Sequence, residues 1–214
     1  MTKVVFSIFA ILFIISFACN ASFAAIGCTL NDPDRDIQRL FPQSTGYKTE
    51  FITIQERGGA KLKKEVEEKL GDTFDPLYEN LDVPYTYYTV LKGKETIGYV
   101  HGVNQKGLYG TIQIILATDM SGRIIGFYYQ KISSPEAGRF KEKYFTDQFI
   151  GLTLADFYVS VDPDGRVAAI KDPTEKNHED FKATIRGTKK NLILLDEFIL
   201  DKKYENSYKK EGGK

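Results

Sequence analysis

Cysteine is scarce in this 214-residue chain, which holds only Cys19 and Cys28, and histidine is equally so, with only His101 and His178. Two thiols, one of them inside an apolar leader, exclude a fold that depends on disulfides. A zinc site draws three or four ligands from His, Cys and acidic side chains, and these two histidines stand far apart with no partner at ligand spacing. There is no Cys-x-x-Cys-His haem attachment. The chain also lacks a Gly-x-Ser-x-Gly nucleophile turn and a Gly-rich P-loop, which counts against a hydrolase or an NTPase. An excess of either charge is missing too: 29 Lys and Arg balance 29 Asp and Glu. No element carries a basic block, so nucleic acid is not an expected partner.

What the chain does have, at its start, is the layout of an export signal. Lys3 precedes an apolar run over residues 4–18, and small residues follow up to Ala24 and Ala25. This is a charged, then apolar, then small-residue sequence, with Ser22-Phe23-Ala24 as the expected cleavage site. The run is shorter than the ~20 residues of a membrane span, but extended through Ile26 it makes an Asn-interrupted anchor. Ala25-Ile26-Gly27-Cys28 offers a third outcome, because it resembles a lipoprotein box with Cys28 as the lipidated residue. All three outcomes place the body outside the cytoplasm, in the periplasm or on the outer face of the membrane.

Beyond residue 24 the length suits one domain with an N-terminal extension. Asn31-Asp32-Pro33 supplies a cap and a first-turn proline for a short helix ending at Phe41. Residues 47–55 alternate as a strand. Leu62, Val66 and Leu70 line one face of a helix over residues 60–70, with Gly71 at its end. From Tyr85 the period becomes two. Strands are expected over residues 85–90, 96–103, 108–117 and 123–131, the last two joined by a hairpin turn at Asp119-Met120-Ser121-Gly122. Residues 135–144 and 146–150 read as helical. A further hairpin pairs residues 157–161 with 166–170 across Asp162-Pro163-Asp164-Gly165. A final helix starts near Thr188, and the charged tail over 202–214 is expected to be disordered. The sum is an α+β fold, an antiparallel meander sheet with flanking helices. It divides as 1–24 export segment, 25–84 helix-strand-helix extension, 85–201 main domain and 202–214 tail.

One ordered set of motifs stands out: Gly107-Leu108-Tyr109-Gly110, then Asp119-Met120-Ser121-Gly122-Arg123-Ile124-Ile125-Gly126, then Ser133-Ser134-Pro135, then Phe149-Ile150-Gly151, and last Arg186-Gly187-Thr188. In that order they resemble the flavin mononucleotide (FMN)-binding domain family, over roughly residues 99–199. That family includes subunits of the sodium-translocating NADH:quinone reductase and of the Rnf complex, and the flavin domain of the nitrous oxide reductase regulator. The resemblance implies FMN as cofactor and electron transfer with a membrane redox complex or a cytochrome, not a stand-alone enzyme. It also implies a site at Ser133, Ser134, Arg186, Gly187, Thr188 and Lys189. The family's Glu-Thr-Pro-Gly is here Ser133-Ser134-Pro135-Glu136, and its Ser-Gly-Ala-Thr is here Arg186-Gly187-Thr188-Lys189. The hydroxyl that carries flavin in the family therefore aligns with Lys189, and non-covalent binding is expected over attachment through Thr188. If residues 186–190 open a helix, its free N–H groups together with Arg186, Lys189 and Lys190 suit a phosphate. The other reading of the same changes is an exported scaffold or partner-binding subunit that keeps the fold without flavin. His101 is expected to be structural or exposed, not catalytic, and Tyr109, Tyr128 and Tyr129 to fill or edge the core.

Overall fold

The computed structural model describes residues 28–159, 167 and 170–211. The expected export segment and the turn at residues 162–165 lie outside the described residues. Helix α1 (Pro33–Leu40) starts where Asp32 caps it by accepting from the Arg35 N–H at 3.2 Å, with proline in the first turn. Strand β1 (Gly46–Ile52) stops short of the expected Gln55. Thr53 and Glu56 form a capping box that turns the chain into the short helix α2 (Ile54–Arg57). Helix α3 (Gly59–Leu70) ends on Gly71, whose φ of 78° is left-handed and suits glycine.

Four more strands follow: β2 (Tyr85–Lys92), β3 (Glu95–Gly107), β4 (Gly110–Thr118) and β5 (Ile124–Ile132). With β1 they make one five-stranded sheet in the order β1-β2-β3-β4-β5, antiparallel throughout. The fold is the expected α+β meander. The turn before β5 is held by the Asp119 carboxylate, which accepts from the N–H groups of Ser121 at 2.8 Å and Arg123 at 3.0 Å. After β5 come α4 (Ala137–Lys141), α5 (Lys143–Thr146), a 3₁₀ turn (Asp147–Phe149) and α6 (Leu154–Val159). The long helix α7 (His178–Phe198) and the short α8 (Glu205–Lys210) complete the described chain.

Two expectations need correction. Residues 157–161 were expected to be a strand, but 154–159 are helical. Thr153 bonds Asp156 through both its N–H, at 2.7 Å, and its hydroxyl, at 2.8 Å, and Leu154 and Phe157 bury on one face. The tail is structured as far as Lys210, because Lys69 pairs with both Glu197 and Glu205 at 2.5 Å. The described part of the extension, residues 28–84, elaborates the same core, since β1 belongs to the same sheet and α3 packs beside α7.

Alternation along the strands builds a core on each face of the sheet. The larger lies under α7 and the helices after β5, where Phe140, Phe145, Phe149, Phe157 and Phe181 are essentially inaccessible. Each such side chain contributes about 1.5–3 kcal/mol through burial. The smaller lies under α1, where Ile37, Phe41, Leu30 and Cys28 meet Tyr88, Val90, Val100, Ile115 and Ala117. Residues 112–117 of β4 feed both cores, which is why that segment is almost continuously apolar.

Candidate functional site

Helix α7 governs every residue of the Arg-Gly-Thr-Lys segment, and it begins ten residues before the expected start near Thr188. Asn177 precedes it, Glu179 and Asp180 occupy its first turn, and Phe181 and Ile185 continue its buried face. Arg186 to Lys190 therefore sit in mid-helix, where backbone N–H groups bond within the helix and leave none for a phosphate. The open end of α7 lies at residues 175–177, and the protein fills it with its own anion. The Glu136 carboxylate accepts from the N–H groups of Glu175 at 2.9 Å, Lys176 at 3.2 Å and Asn177 at 3.0 Å, and from the Asn177 side chain. Those bonds, led by the one from Glu175, hold the Glu136 carboxyl down at about 2.

A carboxyl depressed on folding adds stability above its unfolded value and loses it as pH falls towards the folded one. Glu136→Gln is expected to be less stable than the parent at neutral pH, and to lack the part of the parent's decline that falls between the ordinary carboxyl range and pH ~2. Urea denaturation at a series of pH values measures both.

The expected site residues separate in space. Ser133 donates its N–H to the Thr111 carbonyl at 3.2 Å, and the Ser134 hydroxyl accepts from the Glu136 N–H at 3.3 Å. Both lead the chain from β5 into α4 and line no part of the groove described below. Thr188 is fully buried, and its hydroxyl donates to the Thr184 carbonyl at 2.9 Å. Gly187 presses on the sheet, where a Cβ would stand 2.7 Å from Ile114 Cδ1 and 3.1 Å from Gln105 Cβ. Residues one and two apart on a helix face different ways, so Arg186 and Lys189 emerge on the other side from Thr188.

Arg186 uses its full donor set on the protein itself. It reaches Asp72 at 2.6 Å, Glu79 at 2.8 and 3.1 Å, the Gln105 side chain at 2.8 Å and the Thr73 carbonyl at 2.9 Å. Lys190, with no exposure, pairs with the same Glu79 and donates to the Asn104 carbonyl at 2.8 Å. Burial pushes the Glu79 carboxyl up, but Lys190 and Arg186 outweigh it and hold Glu79 below the ordinary range.

Lys189 differs. Its ammonium donates to the Leu70 carbonyl at 3.1 Å and lies 5.5 Å from the centre of the Tyr158 ring. No carboxylate among the described residues pairs with it, and burial pushes it down to about 8. It lines an open groove of about 640 Å³ between residues 70–72 at the end of α3, residues 105–108 at the end of β3, and the face of α7 that carries Lys182, Ala183 and Arg186. Leu70, Leu108 and Ile185 give this groove an apolar lining.

Residue-by-residue reasoning missed the groove because its three walls come from segments more than 30 positions apart. The signal available was the helical spacing of Lys182, Arg186 and Lys189. His101 is buried, stacks on Tyr87 at 5.0 Å between ring centres, and is pushed down to about 3 by burial, so it stays neutral and structural. Tyr129 is buried in the larger core and Tyr109 is exposed. Cys28 is only 2 % exposed and burial pushes its thiol up to about 12, so a lipid on that sulfur would have to draw residue 28 out of the smaller core. Among the described residues no helix is long and apolar enough to cross a membrane, and no cluster of three His, Cys, Asp or Glu is placed to hold a metal ion.

No family model matches the chain, and a search of curated proteins returns no match.

Proposed function

We propose that this chain is an extracytoplasmic protein of membrane-associated electron transfer that holds FMN non-covalently in the groove beside α7. The observation that carries the reading is Lys189, a partly desolvated cation that lines the groove and has no carboxylate partner among the described residues. Burial weakens its charge, and an incoming phosphate would restore it by the pairing the protein withholds. The apolar lining from Leu70, Leu108 and Ile185 suits the face of a flat ring system. Lys106 and Lys182 add positive charge at the rim, each already drawn to an acid, Asp75 at 3.3 Å and Glu179 at 3.1 Å. FMN would supply one- and two-electron carriage, while the chain's own groups bind and orient it. The motif order along residues 99–199 supports FMN as the cofactor, and the expected export signal supports the compartment. A membrane redox complex or a cytochrome is the matching partner class.

The donors favour Lys189 over the other expected residues. Arg186 is already saturated, Thr188 is enclosed between helix and sheet, and the α7 terminus is occupied by Glu136. Covalent attachment through Thr188 is disfavoured on the same ground.

The test is the absorption spectrum of the mature protein from an exporting host that has a flavin transferase, before and after acid precipitation. Yellow protein whose colour stays in the supernatant is the expected result. Lys189→Ala is expected to weaken FMN binding about tenfold, the worth of one charge-assisted hydrogen bond, while Thr188→Ala keeps its flavin. Colour that follows the pellet would refute non-covalent binding. A second reading, the flavin-free scaffold, draws support from the same saturated Arg186 and the self-filled helix terminus, and protein that stays colourless in excess FMN would establish it in place of the first.

A further inference from the structure

The two edges of the sheet are treated differently. The β5 edge is covered: Gly151 donates to the Ile124 carbonyl and Ile124 to the Leu152 carbonyl, both at 2.8 Å, and Gln130 bonds Asn31 and Thr29 at 2.9 and 2.8 Å. Among the described residues the β1 edge has no such cover. Its seven residues run without bulge or proline along β2, and among the described residues no backbone group of residues 46–51 bonds outside that ladder. A row of unpaired N–H and C=O groups is a template for another strand. Lys48 and Glu50, side by side on one face of this edge, have no ion pair among the described residues, and Phe51 on the other face is 62 % exposed.

We propose that β1 is a homodimer interface in which two copies pair their β1 strands antiparallel about Thr49, joining the sheets into one of ten strands. The sequence selects both partner and register. Centred on Thr49, the two-fold sets Lys48 opposite Glu50 of the second copy, repeats that pair by symmetry, and lays Tyr47 opposite Phe51. Centred on Lys48 or on Glu50 instead, it sets like charges against each other. Opposed charges and aromatic pairs directly across an antiparallel ladder are the units that stabilise such a pairing, and an isologous contact of this kind closes as a dimer and does not propagate. Lysine alone on an edge would discourage pairing, but here glutamate two residues on answers it in the second copy. A strand-edge contact is small beside a standard interface, so the dimer is expected to dissociate on dilution.

The experiment uses the mature protein from its exporting host, measured by sedimentation velocity over a concentration series. The parent is expected to shift from monomer to dimer as concentration rises. Lys48→Glu, which sets two glutamates against two, raises the dissociation constant on the order of tenfold or more, and Lys48→Glu with Glu50→Lys restores it. Circular dichroism shows that each variant keeps its fold. Thr49→Cys fixes the register: it is expected to form an intermolecular disulfide spontaneously, since opposed residues lie within the Cα span of such a bond, whereas Phe51→Cys does not. A parent that stays monomeric at every concentration overturns the proposal, and so does cross-linking of Phe51→Cys as efficient as that of Thr49→Cys.

Discussion

Glu79→Ala is expected to destabilise the protein by about 3–5 kcal/mol, the cost of removing one partner from a buried ion pair. For a domain of this size that corresponds to a fall in Tm of about 6–20 °C, readable by thermal circular dichroism. The Glu79 side chain is 1 % exposed and lies between Lys190, which is fully buried, and Arg186. Without it Lys190 keeps, among the described residues, only the Asn104 carbonyl, and Arg186 keeps Asp72, Gln105 and the Thr73 carbonyl. The charge left alone at Lys190 dominates the loss, because its hydration was given up on folding. Replacing both partners with apolar residues of similar volume, Glu79→Leu with Lys190→Met, is expected to recover most of that stability. A loss that the double replacement fails to relieve would show that the 72–84 loop depends on Glu79 for something other than charge. Since folding holds the Glu79 carboxyl below its ordinary value, the parent's contribution from it is present above the unfolded value and disappears as pH falls through the folded one. Glu79→Ala should therefore also flatten the acid limb of the stability profile.

Gly187→Leu carries the second large effect, an expected loss of about 3 kcal/mol from overpacking. At Gly187 the helix lies directly on β3 and β4. An added Cβ would stand 2.7 Å from Ile114 and 3.1 Å from Gln105, and the longer leucine side chain has nowhere to go except between α7 and the sheet. Gln105 also accepts from Arg186, so displacing it disturbs the ion network as well as the packing. Gly187→Ala meets only the mobile end of Ile114 and the first carbons of Gln105, and is expected to cost much less. Denaturant midpoints of the two variants, compared at constant m-value, give the difference. Equal losses for alanine and leucine would mean that the glycine serves the backbone and not the seam. On the expected result, the Gly of the Arg-Gly-Thr segment owes its place to close packing of helix on sheet, not to an approaching phosphate.

The sheet was legible because period-two alternation is local and turn chemistry marks its ends. Asp119 to Gly122 and Lys92 to Lys94 punctuated the meander, and every strand from β2 to β5 formed within a few residues of its expected limits. The start of α7 was misplaced for the opposite reason. Gly187 inside a helix looks like a boundary when propensity alone is weighed, and burial against β3 and β4 overrides that cost of about 1 kcal/mol. The helix at 154–159 was missed although Thr153 and Asp156 stood at capping-box spacing, because aromatic residues at 157 and 158 carried the stronger strand signal. Of the expected site, Arg186 and Lys189 share the groove, while Ser133, Ser134, Gly187 and Thr188 serve capping and packing.

The amino-acid sequence by itself determined the α+β meander and the scarcity of histidine and cysteine; it also raised the expectation of an export signal over residues 1–24 and a motif order that resembles the FMN-binding domain family. The meander and the scarcity rest on composition or on neighbours along the chain. Only the tertiary structure decided which charges are compensated. Glu136 closes the α7 terminus from 39 positions or more away, and Asp72 and Glu79 answer Arg186 across more than 100. Lys189, three residues beyond Arg186 on the same face, has no carboxylate partner among the described residues. Whether a buried cation is neutralised depends on which distant acid the fold brings within a few ångströms, since screening and burial act through space and are blind to chain order.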